Sequence, residues 1–147
     1  AIRMMNSAMV LKGDDESYST MDYATVDLYT GKVELIKIGA AASFLKHKEE
    51  VTCLSSSSLP AGVCMQQLAK PQEAKMCHGD FLVMVTDGVL EYLHVKNPEE
   101  KLAEMISEIN TDNAGGMARA LLEHVLLFTG GHAMDDMTII VTGIWEK

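Results

Sequence analysis

Several things are scarce in this chain of 147 residues, and each scarcity closes off a class of function. No apolar run reaches the roughly 18 residues that a membrane-spanning helix requires. The N-terminal AIRMMNSAMV carries one Arg and an apolar stretch broken by polar residues, so it does not read as a signal peptide. No direct membrane contact by this segment is expected. Positive charge is also short: 12 Lys and Arg stand against 21 Asp and Glu, for a formal net charge of −9. The basic residues form no stripe, which argues against a sequence-independent grip on nucleic acid. Cys53, Cys64 and Cys77 are odd in number and include no CxxC pair, so neither a zinc site nor a disulfide framework is expected. Reduced, mostly buried thiols are the expectation. The serine run SSSS has no neighbouring His or Lys to activate a nucleophile, and Gly-x-Ser-x-Gly is absent.

What is present suffices for one domain with a core of its own, because 48% of the residues are hydrophobic. Ile2, Met5 and Met9 recur at helical spacing and predict an amphipathic helix over residues 2 to 11 that begins without a cap. TMDYATVDLY and KVELIKIG flank Thr30-Gly31 and read as a hairpin. SFLKH and EEVTCLS continue the pattern, so four successive strands with tight connections predict an antiparallel meander. SSSSLPAGV is a loop. FLVMV is a continuous apolar run, the mark of a strand covered on both faces. It ends at Thr86-Asp87-Gly88.

Asn97-Pro98-Glu99-Glu100 supplies a capping residue, a proline at the first helical position and a Glu three residues after the cap. Leu102, Met105, Ile106 and Ile109 form the buried stripe of that helix. Asp112 is the expected cap of a second helix, in which Met117, Leu121, Val125 and Phe128 share a face before Gly130-Gly131 ends it. MTIIVTGIW closes the chain as a strand. This order lacks regular strand-helix alternation, so the expected class is α+β with antiparallel sheets.

Asp87 follows the C-terminal end of one buried strand, and Asp135 and Asp136 precede the N-terminal end of another. If those strands are antiparallel neighbours, the carboxylates emerge on one edge of the sheet, where oxygen clusters suit Mg²⁺ or Mn²⁺. Gly88 would allow close approach, and Thr138 could bond to nearby loop groups. The competing reading is an ordinary turn and an ordinary strand start, since Asp and Gly are common in both. Two carboxylates alone do not make a two-metal hydrolytic site.

GDFLVMVTDGVLE followed by MDDMTIIV resembles the last two motifs of the metal-dependent PPM (protein phosphatase 2C-like) serine/threonine phosphatases. With STMDYATVDLYTGKVELIKIGAAASFLKH and SSSLPAGV, nearly the whole chain resembles the phosphatase domain of the stage II sporulation protein E family. The resemblance implies a PPM-type αββα sandwich of antiparallel sheets, truncated at its N-terminal side, with residues 1–147 as the C-terminal part of a single domain. It implies metal ligation by Asp87 and Asp135, with Gly88 and Asp136 as supporting residues and no catalytic group beyond the metal ligands. Gly62 of LPAG matches a structural loop. Ala42 and His47 stand where this subfamily often has Pro and Arg, which is expected to alter local rigidity more than chemistry.

The same resemblance implies two Mn²⁺ or Mg²⁺ ions in the intact domain. It implies hydrolysis of phosphoserine on an anti-sigma factor antagonist, with release of a sporulation sigma factor, by the cytoplasmic domain of a membrane-anchored parent. The family's upstream aspartate and DGxG-type motif are absent from these 147 residues. This segment is therefore expected to be inactive or feeble alone, and exposed sheet edges lead to an expected homodimer. Two other readings compete: a non-catalytic module for protein docking, and a receiver-like Mg²⁺ domain, against which the expected meander speaks.

Overall fold

The computed structural model describes residues 2–12, 18–64, 70–130 and 136–145. In chain order these form α1 (Ile2–Lys12), β1 (Met21–Val26), β2 (Lys32–Ile38), β3 (Ser43–His47), β4 (Glu50–Leu54), β5 (Gln72–Lys75) and β6 (Phe81–Val85). Three helices follow, α2 (Asp87–Tyr92), α3 (Pro98–Glu108) and α4 (Ala114–Phe128), and then β7 (Ile139–Gly143). The strands make two antiparallel sheets, of order β1-β2-β5 and β4-β3-β6-β7. The α+β architecture with antiparallel sheets is the expected one.

The meander is not. β2 pairs with β1 and β5, whereas β3 pairs with β4 and β6, so the chain changes sheet between β2 and β3. A short Gly-containing link reads the same in sequence whether it closes a hairpin or crosses between layers. Here Gly39 takes a left-handed φ of 60°. Its amide donates to Ser58 Oγ (3.2 Å), and Pro60 fills the place a Cβ would need. The loop that holds this link in place is the serine run. β5 was not legible, because QEAK has neither an apolar alternation nor β-branched residues.

The β1–β2 hairpin forms as expected, around Asp27. Its Oδ1 accepts from the amides of Tyr29 (2.9 Å) and Thr30 (3.0 Å), which hold the carboxyl below its usual range. Gly31, at φ 70°, is required because a Cβ there would strike the Met76 carbonyl oxygen that the turn packs against.

Alternating residues of the facing strands meet between the sheets. Val33 and Leu35 of β2 pack with Met76 and Leu82, joined by Ala24, Val26, Leu45 and Met84. The opposite face of the four-stranded sheet, with Phe44, Phe81, Val83 and Val85, is covered by Val89 and Leu90 of α2, Leu102 and Ile106 of α3, and Met117, Leu121 and Val125 of α4. β6 is thus buried on both faces, as its unbroken apolar run predicts. Lys46 points into this helix-covered layer, where its ammonium donates to the carbonyls of Ile106 (2.9 Å) and Ser107 (2.8 Å) in the last turn of α3. Burial pushes its pKa down, while its ammonium satisfies those helix-end carbonyls.

Four local expectations change. The cap of α4 is Asn113 rather than Asp112, with Oδ1 accepting from Gly116 N at 2.6 Å; the helix starts one residue later than Asp112 could serve. Phe128 is half exposed under the Lys101 ammonium instead of joining the buried stripe. In α1 the buried residue is Asn6, whose amide bonds Cys64 O and Gly62 N, so this helix docks through a polar clamp on the LPAG turn rather than through Ile2, Met5 and Met9. Cys53 and Cys77 are exposed and Cys64 is half-buried, which corrects the expectation of mostly buried thiols; none of the three is in a disulfide.

Candidate metal centre

β6 and β7 are antiparallel neighbours, with Val85 opposite Ile139. The ladder extends one step beyond the strands: Thr86 N donates to Thr138 O (3.1 Å), and Thr138 N donates to Thr86 Oγ1 (3.0 Å). This reciprocal clamp brings the segment before β7 to the end of β6 where Asp87 stands. The sequence indicated Thr138 as a bonding residue, but the side chain that acts is that of Thr86, and Thr138 contributes its backbone. A Thr after a buried strand carries no signal that separates it from an ordinary strand end.

Asp87 begins α2 instead of forming a turn. The reason lies in the residues after it, because Val89, Leu90 and Tyr92 bury themselves against the sheet at helical spacing and wind the chain at once. Asp87 is left exposed at the edge, its Oδ1 fixed by the amide of Gly88 at 3.0 Å. Gly88 is buried. Asp136 is exposed two residues before the clamped Thr138. Asp135, the other predicted ligand, lies outside the described residues.

Anionic oxygens on an exposed edge are the donors that hard divalent cations select, so the residues fit Mn²⁺ or Mg²⁺ in kind. They make only part of such a set: among the described residues no three His, Cys, Asp or Glu side chains are grouped to hold an ion. Beside this edge, between α4 and β7, lies a groove of about 490 Å³ lined by Gly115, Ala118, Arg119, Leu122 and Met137 to Ile139. Arg119 is exposed there and carries no signal in the sequence, where a single Arg on a helix that also holds Glu123 and His124 has no pattern. A larger cavity, about 940 Å³, opens at the other end of the strands, lined by Tyr29, His78 and Trp145 among others. It is remote from the carboxylates.

Residues 1–144 match the family model "Stage II sporulation protein E (SpoIIE)". The chain belongs to the SpoIIE family. It is 34% identical over 142 residues to the stage II sporulation protein E of Priestia megaterium, covering 96% of this chain and 24% of that protein. It thus spans about a quarter of that relative's length. The PP2C phosphatase domain of SpoIIE from Bacillus subtilis, solved with a fragment of its regulatory domain, superposes with a TM-score of 0.84 at 31% identity, over 92% of this chain and 41% of that one. A manganese-presoaked structure of the B. subtilis SpoIIE phosphatase domain gives 0.80 at 28% identity, over 99% and 66%. The fold is therefore that of part of a SpoIIE PP2C domain, with Asp87 at the end of β6 within it.

Proposed function

We propose that residues 1–147 are the C-terminal part of one PPM-type phosphatase domain, and that the SpoIIE-family protein to which they belong is a metal-dependent protein serine/threonine phosphatase. Asp87 and Asp135 are the ligands this segment gives to a two-ion Mn²⁺ or Mg²⁺ centre, with Gly88 and Asp136 in support. One observation carries the reading: the Thr86–Thr138 clamp puts an exposed, backbone-oriented carboxylate beside the strand that the second acidic motif precedes. The manganese presoak of the B. subtilis domain supports the choice of ion.

The chain's own residues bind and orient. Asp87 presents anionic oxygen, Gly88 fixes one carboxylate oxygen, and the apolar side of α2 anchors both to the sheet. Bound divalent ions would supply Lewis acidity and an activated water for in-line hydrolysis of a phosphoserine ester. The substrate in this reading is phosphoserine on an anti-sigma factor antagonist, and its hydrolysis releases a sporulation sigma factor; membership in a sporulation family supports this. The reading includes a cytoplasmic location within a membrane-anchored protein. Among the described residues no helix is long and apolar enough to cross a membrane. A homodimer through open strand edges is part of the same proposal, and light scattering showing only monomer at high concentration removes it.

Calorimetric titration with Mn²⁺ tests the site. Asp87→Ala should weaken binding by about tenfold or more, as loss of an anionic ligand demands. Indistinguishable isotherms for the two proteins would remove Asp87 from the centre. Phosphatase assay of this chain beside one extended upstream tests the division of the site between segments.

A further inference from the structure

The apolar layer between the two sheets gives way to charge at the end toward Asp87. Along β2 the inward row runs Val33, Leu35, Lys37, and the third member is a fully buried ammonium. Lys37 Nζ donates to Asp22 Oδ2 (2.5 Å) and to Ala41 O (2.6 Å), and Ser43 Oγ donates to the same Asp22 oxygen at 3.2 Å. Asp22 and Lys37 are register partners in the three-stranded sheet, whereas Ser43 opens β3 in the other. The cluster therefore ties sheet to sheet. It also holds the crossing link, through Ala41 O and through Ser58, whose hydroxyl donates to Lys37 O at 2.6 Å.

Its location matters. Ser43 pairs with Met84, and Met84 with Ile140. The cluster thus lies at the end of β6 that runs into Thr86 and Asp87, and at the start of β7. Desolvating both charges costs more than their attraction returns unless every hydrogen bond is made, and an apolar pair of similar volume is often as stable or more so. The bonding here is incomplete, because Asp22 Oδ1 is buried without a hydrogen-bond partner among the described residues. Stability alone would favour continuing the Val33–Leu35 row with another apolar residue.

We propose that Asp22, Lys37 and Ser43 are positioning residues that set the separation and register of the two sheets at the carboxylate edge, and through β3 and β6 fix Asp87 for metal binding. The part concerning metal rests on the function proposed above. Because the cluster acts by directional bonds, a hydrophobic pair of equal bulk keeps the layer filled but releases the alignment.

The test compares the full chain with Asp22→Leu/Lys37→Met, Lys37→Met and Ser43→Ala by urea unfolding, Mn²⁺ calorimetry and amide exchange. The double variant should unfold at the same or higher urea, yet bind Mn²⁺ about tenfold to a hundredfold more weakly, the loss typical of residues that orient ligands. Exchange of the Thr86 and Thr138 amides should accelerate about tenfold, while that of Ile144, bonded at the far end of the strands, stays unchanged. Wild-type affinity together with wild-type exchange in a folded double variant overturns the proposal. Should Lys37→Met fail to fold, the double variant still decides. Should the unaltered chain bind no Mn²⁺, the metal reading fails by itself, and the exchange of Thr86 and Thr138 continues to decide whether the cluster positions the edge.

Discussion

Two aspartates, Asp80 buried and Asp22 partly buried, stand at opposite ends of the sandwich, and their surroundings differ. Asp80, just before β6, has both oxygens engaged: Oδ1 with His47 Nδ1 at 2.7 Å and Oδ2 with the Cys77 amide at 2.7 Å. The backbone around it is also closed, since Gly79 N donates to Ile144 O and Ile144 N to Asp80 O. Asp22, toward the other end, doubles its bonds on one oxygen and leaves the second buried without a partner. A completed set of bonds serves to finish a turn and hold the strand beginning there. An incomplete one, beside an exposed ligand-type carboxylate, marks the end where alignment is the product. On the function proposed above, the sandwich thus divides its labour along the strand axis, with stability concentrated where β6 begins and metal binding where it ends.

The largest effect expected from breaking this comparison is at Asp80. Asp80→Ala leaves the Cys77 amide without its acceptor and should cost about 1–3 kcal/mol in urea unfolding. Its Mn²⁺ affinity, corrected for unfolded chain, should stay at the wild-type value; a matching loss of affinity would end the division between the two ends. Thr86→Val reverses the pattern. It removes the acceptor for Thr138 N and should cost only about 0.5–1.5 kcal/mol, yet weaken Mn²⁺ binding well beyond that share. Proportionate losses in the two measurements would show that the clamp is merely one more hydrogen bond.

The smallest effect belongs to Asp27 in the β1–β2 turn. Its folded pKa lies below the ordinary value of 3.8, so its contribution to stability is present above that pH and is lost as pH falls through the lower, folded value. Asp27→Asn keeps an oxygen acceptor but does not titrate there. The stability difference between the two proteins, followed by denaturation from pH 6 downward, should therefore shrink to a constant in acid. A difference that does not change with pH would mean that the charge of Asp27 plays no part.

Much of the fold was legible because its determinants are local. FLVMV announced a strand covered on both faces, and the stripe from Leu102 to Ile109 announced α3, since period and burial coincide there. Lys37 illustrates the opposite case: its charge reads as solvent-facing, and only the approach of Asp22 and Ala41 from elsewhere in the chain makes it an interior residue. The sheet change after Ile38 was hidden for a similar reason, because Gly39 bends the chain in either topology and the decision rests with Ser58 and Pro60, about twenty residues later. At the site, the approach of the segment before β7 to the Asp87 end of β6 followed from two strands and their polarity. The clamp at Thr86 did not, since it depends on a register that tertiary pairing fixes.

The passage from β2 to β3 is only four residues, Gly39 to Ala42, and it is tethered at both ends. Such a strap has no slack. One sheet cannot shear or lift away from the other without first pulling Gly39 off Ser58 and Ala41 off Lys37. The layers therefore open together, and subglobal opening near this end should appear in hydrogen exchange as one cooperative event spanning both sheets, while α1, docked chiefly through Asn6, can come away separately.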